Sequence, residues 1–146
     1  MFRTAIDFLA KLLPSIPVYA HCDVPCGIYD PRPAQIAAAT VKKMVQLIGE
    51  LPKESTAVAD RNKFVRCVLT KEEHAQKCKT ELLILWTDYF KPEHLTIFPT
   101  LHDTFWKSAK LCSKNKQEVS LEAADELVAA VDEIAHMFEQ SKKETK

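Results

Sequence analysis

Residues 120–138, SLEAADELVAAVDEIAHMF, hold the pattern that decides the fold. Their apolar side chains recur at intervals of 3, 4, 3, 4 and 3 residues, at Leu121, Ala124, Val128, Val131, Ala135 and Phe138. That spacing lines one face of an α-helix and is typical of the packed seam of a helical bundle. Ser120 is a suitable N-cap, and Glu122 places a negative charge in the first turn. We therefore expect a helix that starts after Ser120, and a charged, frayed tail over residues 141–146.

Two longer helical patterns lie in the first half of the chain. The first begins at Pro31, with Asp30 as its cap, and reaches about Leu51 before a proline stops it. Its proposed apolar side consists of Ile36, Thr40, Met44, Leu47, Ile48 and Leu51. The second runs from about Ala57 to Tyr89. Its proposed apolar positions are Val58, Val65, Val68, Leu69, Ala75, Cys78, Leu82, Leu85, Trp86 and Tyr89.

A third, shorter pattern completes the set of helices. It runs from Pro99 to Cys112, and residues 113–118 are predicted to form a polar connection to the last helix. Four amphipathic helices with short connections predict an all-α, up-down-up-down four-helix bundle. The 146 residues, 47% apolar and 27% charged, suit one globular domain.

Charge and composition exclude several functional classes. The 20 basic and 20 acidic residues balance, which argues against a basic face for nucleic acid. With only Gly27 and Gly49, the chain has no glycine-rich loop for phosphate or a dinucleotide. No run of about 18 apolar residues is present, so the sequence predicts no membrane span.

Residues 1–20 differ from the rest of the chain and are predicted to form a removable leader. Ala20 is a small residue at a plausible cleavage point, and residues 21–146 would then be the mature domain. Asp7 and Lys11 interrupt the apolar region that a secretory signal needs. We therefore expect a cytoplasmic protein, with an organellar or exported one as the alternative if the leader is a targeting segment. A short helix that stays attached is the alternative to a leader.

His21, Cys22 and Cys26 place three potential metal ligands within six residues. The group lacks the fourth ligand of a zinc finger, the C-x-x-C-H order of haem attachment and the two-residue spacing of a redox dithiol. Two thiolates with nitrogen donors suit zinc, copper or nickel, and a planar arrangement would select copper or nickel.

Cleavage after Ala20 would change the chemistry of this group, because His21 would gain a free α-amine. That amine and the amide nitrogen of Cys22 would close a five-membered chelate ring, and the Cys22 amide nitrogen and sulfur would close a second. The Cys26 sulfur could complete a plane of two nitrogens and two sulfurs, with the His21 imidazole above it. An uncut leader would abolish this arrangement.

The stretch from His21 to Pro31, HCDVPCGIYDP, resembles the N-terminal hook of the nickel-containing superoxide dismutases. The family's motif H-C-x-x-P-C-G-x-Y matches at every fixed position. A second stretch, LWTDYFKP at residues 85–92, resembles the family's second signature. The resemblance extends over essentially the whole chain from His21, including the four helices.

The resemblance implies one nickel ion per subunit, bound by His21, Cys22 and Cys26 in an N-terminal metal-binding hook. His21 would supply its α-amine and an axial imidazole, Cys22 its amide nitrogen and thiolate, and Cys26 the second thiolate. The implied activity is disproportionation of superoxide to dioxygen and hydrogen peroxide by Ni(III)/Ni(II) cycling. A non-catalytic nickel- or copper-binding bundle is the alternative function, and a thiol–disulfide protein using the two cysteines is a weaker one.

The resemblance also implies the surroundings of the metal. Tyr29 would stand over the open face and, with Tyr89, limit access to small molecules, while Asp23 and Lys91 would support that mouth. The family assembles as homohexamers, and a dedicated protease removes its leader.

One pair of residues departs from the better-known members of the family. A Glu in the first helix, paired with an Arg in the second, holds the axial imidazole there, but Ala37 and His74 occupy those positions here. Since a ligating imidazole usually needs a partner on its other nitrogen, we expect His74, with a water or a backbone carbonyl, to take over. A surface histidine is the alternative interpretation of His74.

The other cysteines and histidines are expected to be structural. Three cysteines fall in predicted helices, where a buried free thiol packs as a small apolar group: Cys67, Cys78 and Cys112. Three histidines on separate segments are expected to be exposed or partly buried side chains rather than ligands: His94, His102 and His136.

Overall fold

The computed structural model describes residues 27–144, so the predicted leader and the predicted ligands His21, Cys22 and Cys26 lie outside the described residues. Four helices make up most of this part: α1 (Arg32–Gly49), α2 (Val58–Ile84), α3 (Leu101–Gln117) and α4 (Leu121–Glu144). Each helix packs against its two neighbours around a closed ring, α1 on α2, α2 on α3, α3 on α4 and α4 on α1. The predicted up-down-up-down four-helix bundle is confirmed. Within residues 27–144, no helix has the length and apolarity required to cross a membrane.

The helix starts follow the predicted capping chemistry, with one shift of register. The Asp30 carboxylate accepts a 2.9 Å hydrogen bond from the backbone N–H of Arg32, but the helix begins at Arg32 and Pro31 is its N-cap. The Ser120 hydroxyl accepts a 3.2 Å hydrogen bond from the backbone N–H of Ala123, so Ser120 caps α4 as predicted. The predicted frayed tail is wrong over its first residues, because α4 continues to Glu144 and Ser141 is fully buried.

The predicted apolar side of α1 is wrong. Ile36 is 66% exposed, and the buried face is formed instead by Ala34, Ala37, Ala38, Val41 and Val45. These small side chains let α1 lie close to its neighbours, since the distance between packed helices depends on the side chains at the contact. The prediction followed the largest apolar residues, whereas the bundle buries the smallest ones.

The long pattern assigned to α2 is confirmed only in its second half. Ala75, Cys78, Leu82 and Leu85 are all buried as predicted. In the first half, three predicted core residues are more than half exposed: Val58, Val65 and Leu69. Residues 61–66 are all exposed, so this end of α2 is not enclosed by the bundle.

The predicted polar connection after Cys112 is wrong, because α3 continues to Gln117. Two buried polar side chains explain the extension. The Lys71 ammonium, 1% exposed, donates to the backbone carbonyl of Asn115 and, at 3.0 Å each, to those of Lys116 and Glu118. The Asn115 amide donates to the carbonyls of Leu111 at 3.0 Å and Ala123 at 2.8 Å. Lys71 thus satisfies carbonyl groups at the end of α3, which have no partner within the helix itself, and Asn115 joins that end to α4 through the Ala123 carbonyl.

The core lies along the axis of the bundle and is closed at one end by aromatic rings. Phe105 and Phe138 are each 1% exposed, and the Trp86 ring stacks on Phe105 with 5.8 Å between centroids. The three helix cysteines are buried free thiols as predicted. The aromatic end of the core is also the end at which the described chain begins, because Tyr29 packs against it.

Candidate metal centre

The mouth of the predicted site depends on a break in the regular geometry of α2. After Ile84 the chain forms a π-helical turn over Leu85–Tyr89, in which the backbone N–H of Phe90 donates to the carbonyl of Leu85 at 3.1 Å. Such wide turns occur mostly as single turns and frequently at functional sites. The turn falls within the second family signature and carries Tyr89.

Tyr29 and Tyr89 lie together, although 60 residues separate them in sequence. Their ring centroids are 5.5 Å apart with the ring planes tilted by 58°. Both side chains are partly buried and pack against the core. Because Tyr29 follows Cys26 by only three residues, this contact fixes the end of the predicted hook near the π-helical turn.

The Tyr89 side chain is held on several sides. Its ring stacks on that of His94 at 5.8 Å and meets that of Phe138 at 4.5 Å. Its hydroxyl lies 2.7 Å from the Ser141 hydroxyl, which itself donates a 2.7 Å hydrogen bond to the Phe138 carbonyl. Since a serine hydroxyl has a single proton, Tyr89 is the donor in its bond with Ser141.

Lys91 and His94 follow the π-helical turn and differ in exposure. The Lys91 side chain is exposed, and its backbone N–H donates to the His94 Nδ1 at 2.9 Å. His94 is 6% exposed, so the expectation of an exposed or partly buried side chain is wrong for it. The accepting Nδ1 leaves the proton of neutral His94 on Nε2. His94 therefore positions the segment that carries Lys91, while the predicted role of Lys91 at the mouth remains a prediction.

A small cavity adjoins Tyr29 and contains a carboxylate that the sequence analysis missed. Its volume is about 160 Å³, and its lining includes Tyr29, Pro33, Glu81 and Leu85. Glu81 is partly buried on α2. No local motif marks Glu81. The one indication in the sequence is that Glu81 precedes Tyr89 by eight residues, which is about two helical turns.

The two residues at the positions of the Glu/Arg pair implied by the resemblance differ in burial. Ala37 is 1% exposed and offers no polar group. His74 is partly buried, and its Nδ1 lies 2.9 Å from the Thr70 carbonyl. Nδ1 must carry a proton to donate there, which leaves Nε2 of the neutral ring as an acceptor. His74 does not line the cavity beside Tyr29, and it precedes Glu81 by seven residues, about 10 Å along the helix.

The residues present fit a nickel ion held by the predicted hook. Within residues 27–144 no group of three or more His, Cys, Asp or Glu side chains could hold a metal ion. The three thiols of this part are all buried. The remaining donor set, one histidine and two cysteines at residues 21–26, combines thiolates with nitrogen and suits nickel or copper. Asp23, also predicted for the mouth, lies outside the described residues.

Comparison with known proteins gives one consistent result. A family model described as nickel-containing superoxide dismutase matches residues 17–142. The chain is 34% identical to a superoxide dismutase (Ni) of Streptomyces seoulensis, over 89% of this chain and 94% of that protein. It is 36% identical to the protein of the same name from Streptomyces coelicolor, again over 89% and 94%.

A solved structure described as native nickel superoxide dismutase aligns with this one at a TM-score of 0.73. The alignment has 30% sequence identity and covers 84% of this chain and 99% of the other. The family model alone spans well over half of the chain. The helical ring, the tyrosine contact beside the hook and these matches agree, and the chain belongs to the nickel-containing superoxide dismutases.

Proposed function

We propose that the chain, once cut after Ala20, binds one nickel ion through His21, Cys22 and Cys26 and disproportionates superoxide there. The observation that carries this proposal is the 5.5 Å ring contact between Tyr29 and Tyr89. It joins Tyr29, at the end of the hook sequence, to the π-helical turn of the second signature, which supports one site built from the two motifs. A metal carrier would not need this pair of rings beside the ligands.

When bound, nickel supplies the one-electron exchange by which two superoxide anions and two protons become dioxygen and hydrogen peroxide. The thiolates of Cys22 and Cys26 bring negative charge to the ligand set, which lowers the energy of the higher oxidation state. The protein also has to supply protons and to admit a small anion while excluding larger molecules. Those tasks fall to the residues around the mouth.

The two tyrosines have different parts in proton supply. The Tyr89 hydroxyl gives its proton to the hydrogen bond with Ser141, so Tyr89 acts as a rigid wall of the mouth. Tyr29 lies nearer in sequence to the ligands and is the residue that we assign to proton transfer, together with ordered water. The exposed ammonium of Lys91 attracts the anion through a field that salt would screen.

The imidazole of His21 needs a hydrogen-bond acceptor, and two residues of α2 are candidates to supply one. His74 has an accepting Nε2, as expected for a replacement of the missing pair. Glu81 is nearer to the start of the described chain, because it lines the cavity beside Tyr29. His74→Ala and Glu81→Leu separate them, because each removes one acceptor. The responsible variant alters the spectrum of the nickel-loaded protein and lowers nickel affinity, and the other changes neither.

The assembly, the processing enzyme and the compartment belong to the same proposal. The exposed apolar side chains in the first half of α2 support burial against further copies in a homohexamer: Val58, Phe64, Val65 and Leu69. A leader-processing protease would make the cut after Ala20 in the cytoplasm. Light scattering of the processed protein tests the assembly, and a monomer at micromolar concentration would contradict it.

The central experiment reads three properties of one preparation. The chain is expressed with processing machinery, and its N-terminal residue, its nickel content and its rate of superoxide consumption are measured. We expect an N-terminal His21, one nickel per chain and rapid turnover. Cys26→Ser should lose nickel and activity, whereas Cys67→Ser, in the buried core, should retain both. An active, loaded chain that still begins with Met1 would refute the ligand set, and a loaded but inactive chain would favour the carrier.

A further inference from the structure

His94 contacts both of the residues that the second signature contributes to the mouth of the proposed site, Tyr89 and Lys91. It belongs to a 3₁₀ turn over Pro92–Thr96, which lies between the π-helical turn and α3. Short connecting turns of this kind usually lie at the protein surface, and histidine is only intermediate in its tendency to be buried. The burial of the His94 imidazole within such a turn therefore needs a reason.

The Nδ1 atom of His94 caps the start of the 3₁₀ turn. It accepts the 2.9 Å hydrogen bond from the Lys91 backbone N–H, and the His94 backbone N–H donates in return to the Lys91 carbonyl at 3.0 Å. The third residue of a helical turn reaches back in this way in a capping box, where it is usually Glu or Gln. Because both backbone groups of Lys91 are held, the direction in which its side chain leaves the chain is fixed as well.

The ring of His94 makes a second set of contacts, which Glu or Gln at this position could not make. It stacks on the Tyr89 ring with 5.8 Å between centroids and only 12° between the ring planes. The Phe90 ring meets it nearly edge to face, at 5.5 Å and 83°. Aromatic pairs in such arrangements stabilise a structure beyond the burial of their area. His94 therefore holds the ring of Tyr89 by its face while its Nδ1 atom holds the backbone of Lys91.

The main chain of His94 is anchored on its other side, toward α3. Its carbonyl accepts hydrogen bonds from the backbone N–H groups of Ile97 at 3.1 Å and Phe98 at 2.8 Å. Phe98 packs against the core, and its ring meets that of Phe90 edge to face at 6.4 Å. These anchors do not involve Tyr89 or Lys91, so His94 is a fixed support against which both are held.

We propose that His94 is a positioning residue for the proposed reaction, with two separable tasks. Its Nδ1 atom sets Lys91 for capture of the superoxide anion, and its ring holds Tyr89 in place as a wall against larger molecules. The proposal rests on the proposed function for the roles of Lys91 and Tyr89 at the mouth. A Gln at position 94 would perform the first task alone and a Phe the second alone, whereas His performs both.

The variants His94→Gln and His94→Phe separate the two tasks. His94→Gln keeps an acceptor for the Lys91 N–H and removes the ring, while His94→Phe keeps a ring and removes the acceptor. Two properties of the nickel-loaded proteins are measured. The salt dependence of kcat/KM for superoxide reports on Lys91, and the rate at which EDTA, a much larger anion, removes nickel reports on the wall that Tyr89 forms. The second measurement needs no turnover.

We expect opposite results from the two variants. His94→Phe should lower kcat/KM by about twofold at low salt and by less at physiological salt, as expected for Lys91→Gln, and should lose nickel to EDTA at the rate of the wild type. The combined variant His94→Phe/Lys91→Gln should lose no more than either single variant, because one residue acts through the other. His94→Gln should keep the kcat/KM of the wild type but lose nickel to EDTA about fivefold faster, since the Tyr89 ring has lost an aromatic partner.

The matched control is His136→Gln, which changes an exposed histidine of α4 and should leave both properties unaltered. Far-ultraviolet circular dichroism confirms that each variant is folded at the assay temperature. If His94→Phe and His94→Gln lost both properties equally, or neither property, the two tasks would not be separable and the proposal would be overturned. If Lys91→Gln showed the salt-dependent loss but His94→Phe did not, the proposal would fall while the proposed function stood. An unaltered chain that bound no nickel after processing would instead refute the proposed function.

Discussion

The buried ammonium of Lys71 is the most informative single group to remove, because it satisfies the end of α3 from a neighbouring helix. Lys71→Met keeps most of the side-chain volume but leaves the Asn115, Lys116 and Glu118 carbonyls without their donor. An unsatisfied buried carbonyl costs about 1–3 kcal/mol, and loss of a cation at a helix C-terminus costs up to about 2 kcal/mol.

Two effects make the net loss of stability smaller than the sum of these costs. Water can reach the partly buried carbonyls of Lys116 and Glu118, and the variant no longer has to bury an ammonium, whose pKa burial lowers. We therefore expect a net destabilisation of about 2–4 kcal/mol. For a domain of this size that corresponds to a fall in Tm of about 10 °C.

The measurement is thermal unfolding followed by far-ultraviolet circular dichroism, on nickel-loaded proteins at one concentration. Lys77→Met is the matched control, since Lys77 is an exposed lysine on the same helix. Its free energy of unfolding should change by less than about 0.5 kcal/mol. If Lys71→Met melted with the wild type and with Lys77→Met, the explanation given for the extended end of α3 would be wrong.

Three further predictions concern the mouth and the start of α1. Tyr89→Phe should lower Tm by about 4 °C through loss of the hydrogen bond to Ser141, yet leave the pH profile of turnover unchanged; an altered profile would make Tyr89 a proton donor. Lys91→Gln should lower kcat/KM by about twofold at low salt and by less at physiological salt, and a salt-independent loss would exclude steering. Arg32 lowers the pKa of the Asp30 carboxyl below its ordinary value of 3.8. The ion pair therefore stabilises the folded state above pH 3.8, and this contribution is lost as the pH falls through the lower pKa that Asp30 has in the native protein. Asp30→Asn should therefore cost about 2 °C or less in Tm at neutral pH and converge with the wild type in acid, whereas a gap that persisted in acid would point to another cause.

The fold could be predicted from the sequence wherever the larger apolar side chains are the buried ones. In α4 and in the second half of α2, most of the apolar spacing marks buried positions, as at Val131, Phe138 and Leu82. Leu121, predicted for the same face of α4, is 48% exposed, so the prediction was wrong for that residue. The prediction was wrong for α1, because Ile36 is exposed while Ala34, Ala37 and Ala38 are buried. Hydropathy ranks Ile above Ala, but close helix packing selects small side chains.

The end of α3 illustrates a second limit. Residues 113–117 are polar, and nothing in their local sequence predicts a helix over a loop. The helix persists there because Lys71, more than forty positions earlier, donates to its last carbonyls. A long-range partner of this kind becomes visible only when the bundle has brought the two segments together.

The candidate site, too, could be predicted only in part from local sequence. The hook motif and the second signature could be recognised from local sequence, including Tyr29, Tyr89 and Lys91. Their contact depends on the π-helical turn, and Glu81 enters the neighbourhood only because α1 and α2 converge beside Tyr29. The residues that surround a metal hook are contributed by folding, so they carry no motif of their own.

The exposed first turns of α2 have a consequence for how the chain behaves on dilution. Phe64 and Val65, 45% and 53% exposed, lie on a helical segment with little tertiary cover. Short helical segments without such cover are marginal in water, so the backbone amides there should exchange with deuterium far faster than those near Leu82. If copies of the chain bury that surface in each other, its exchange rate becomes a gauge of association that slows with rising protein concentration and needs no bound metal.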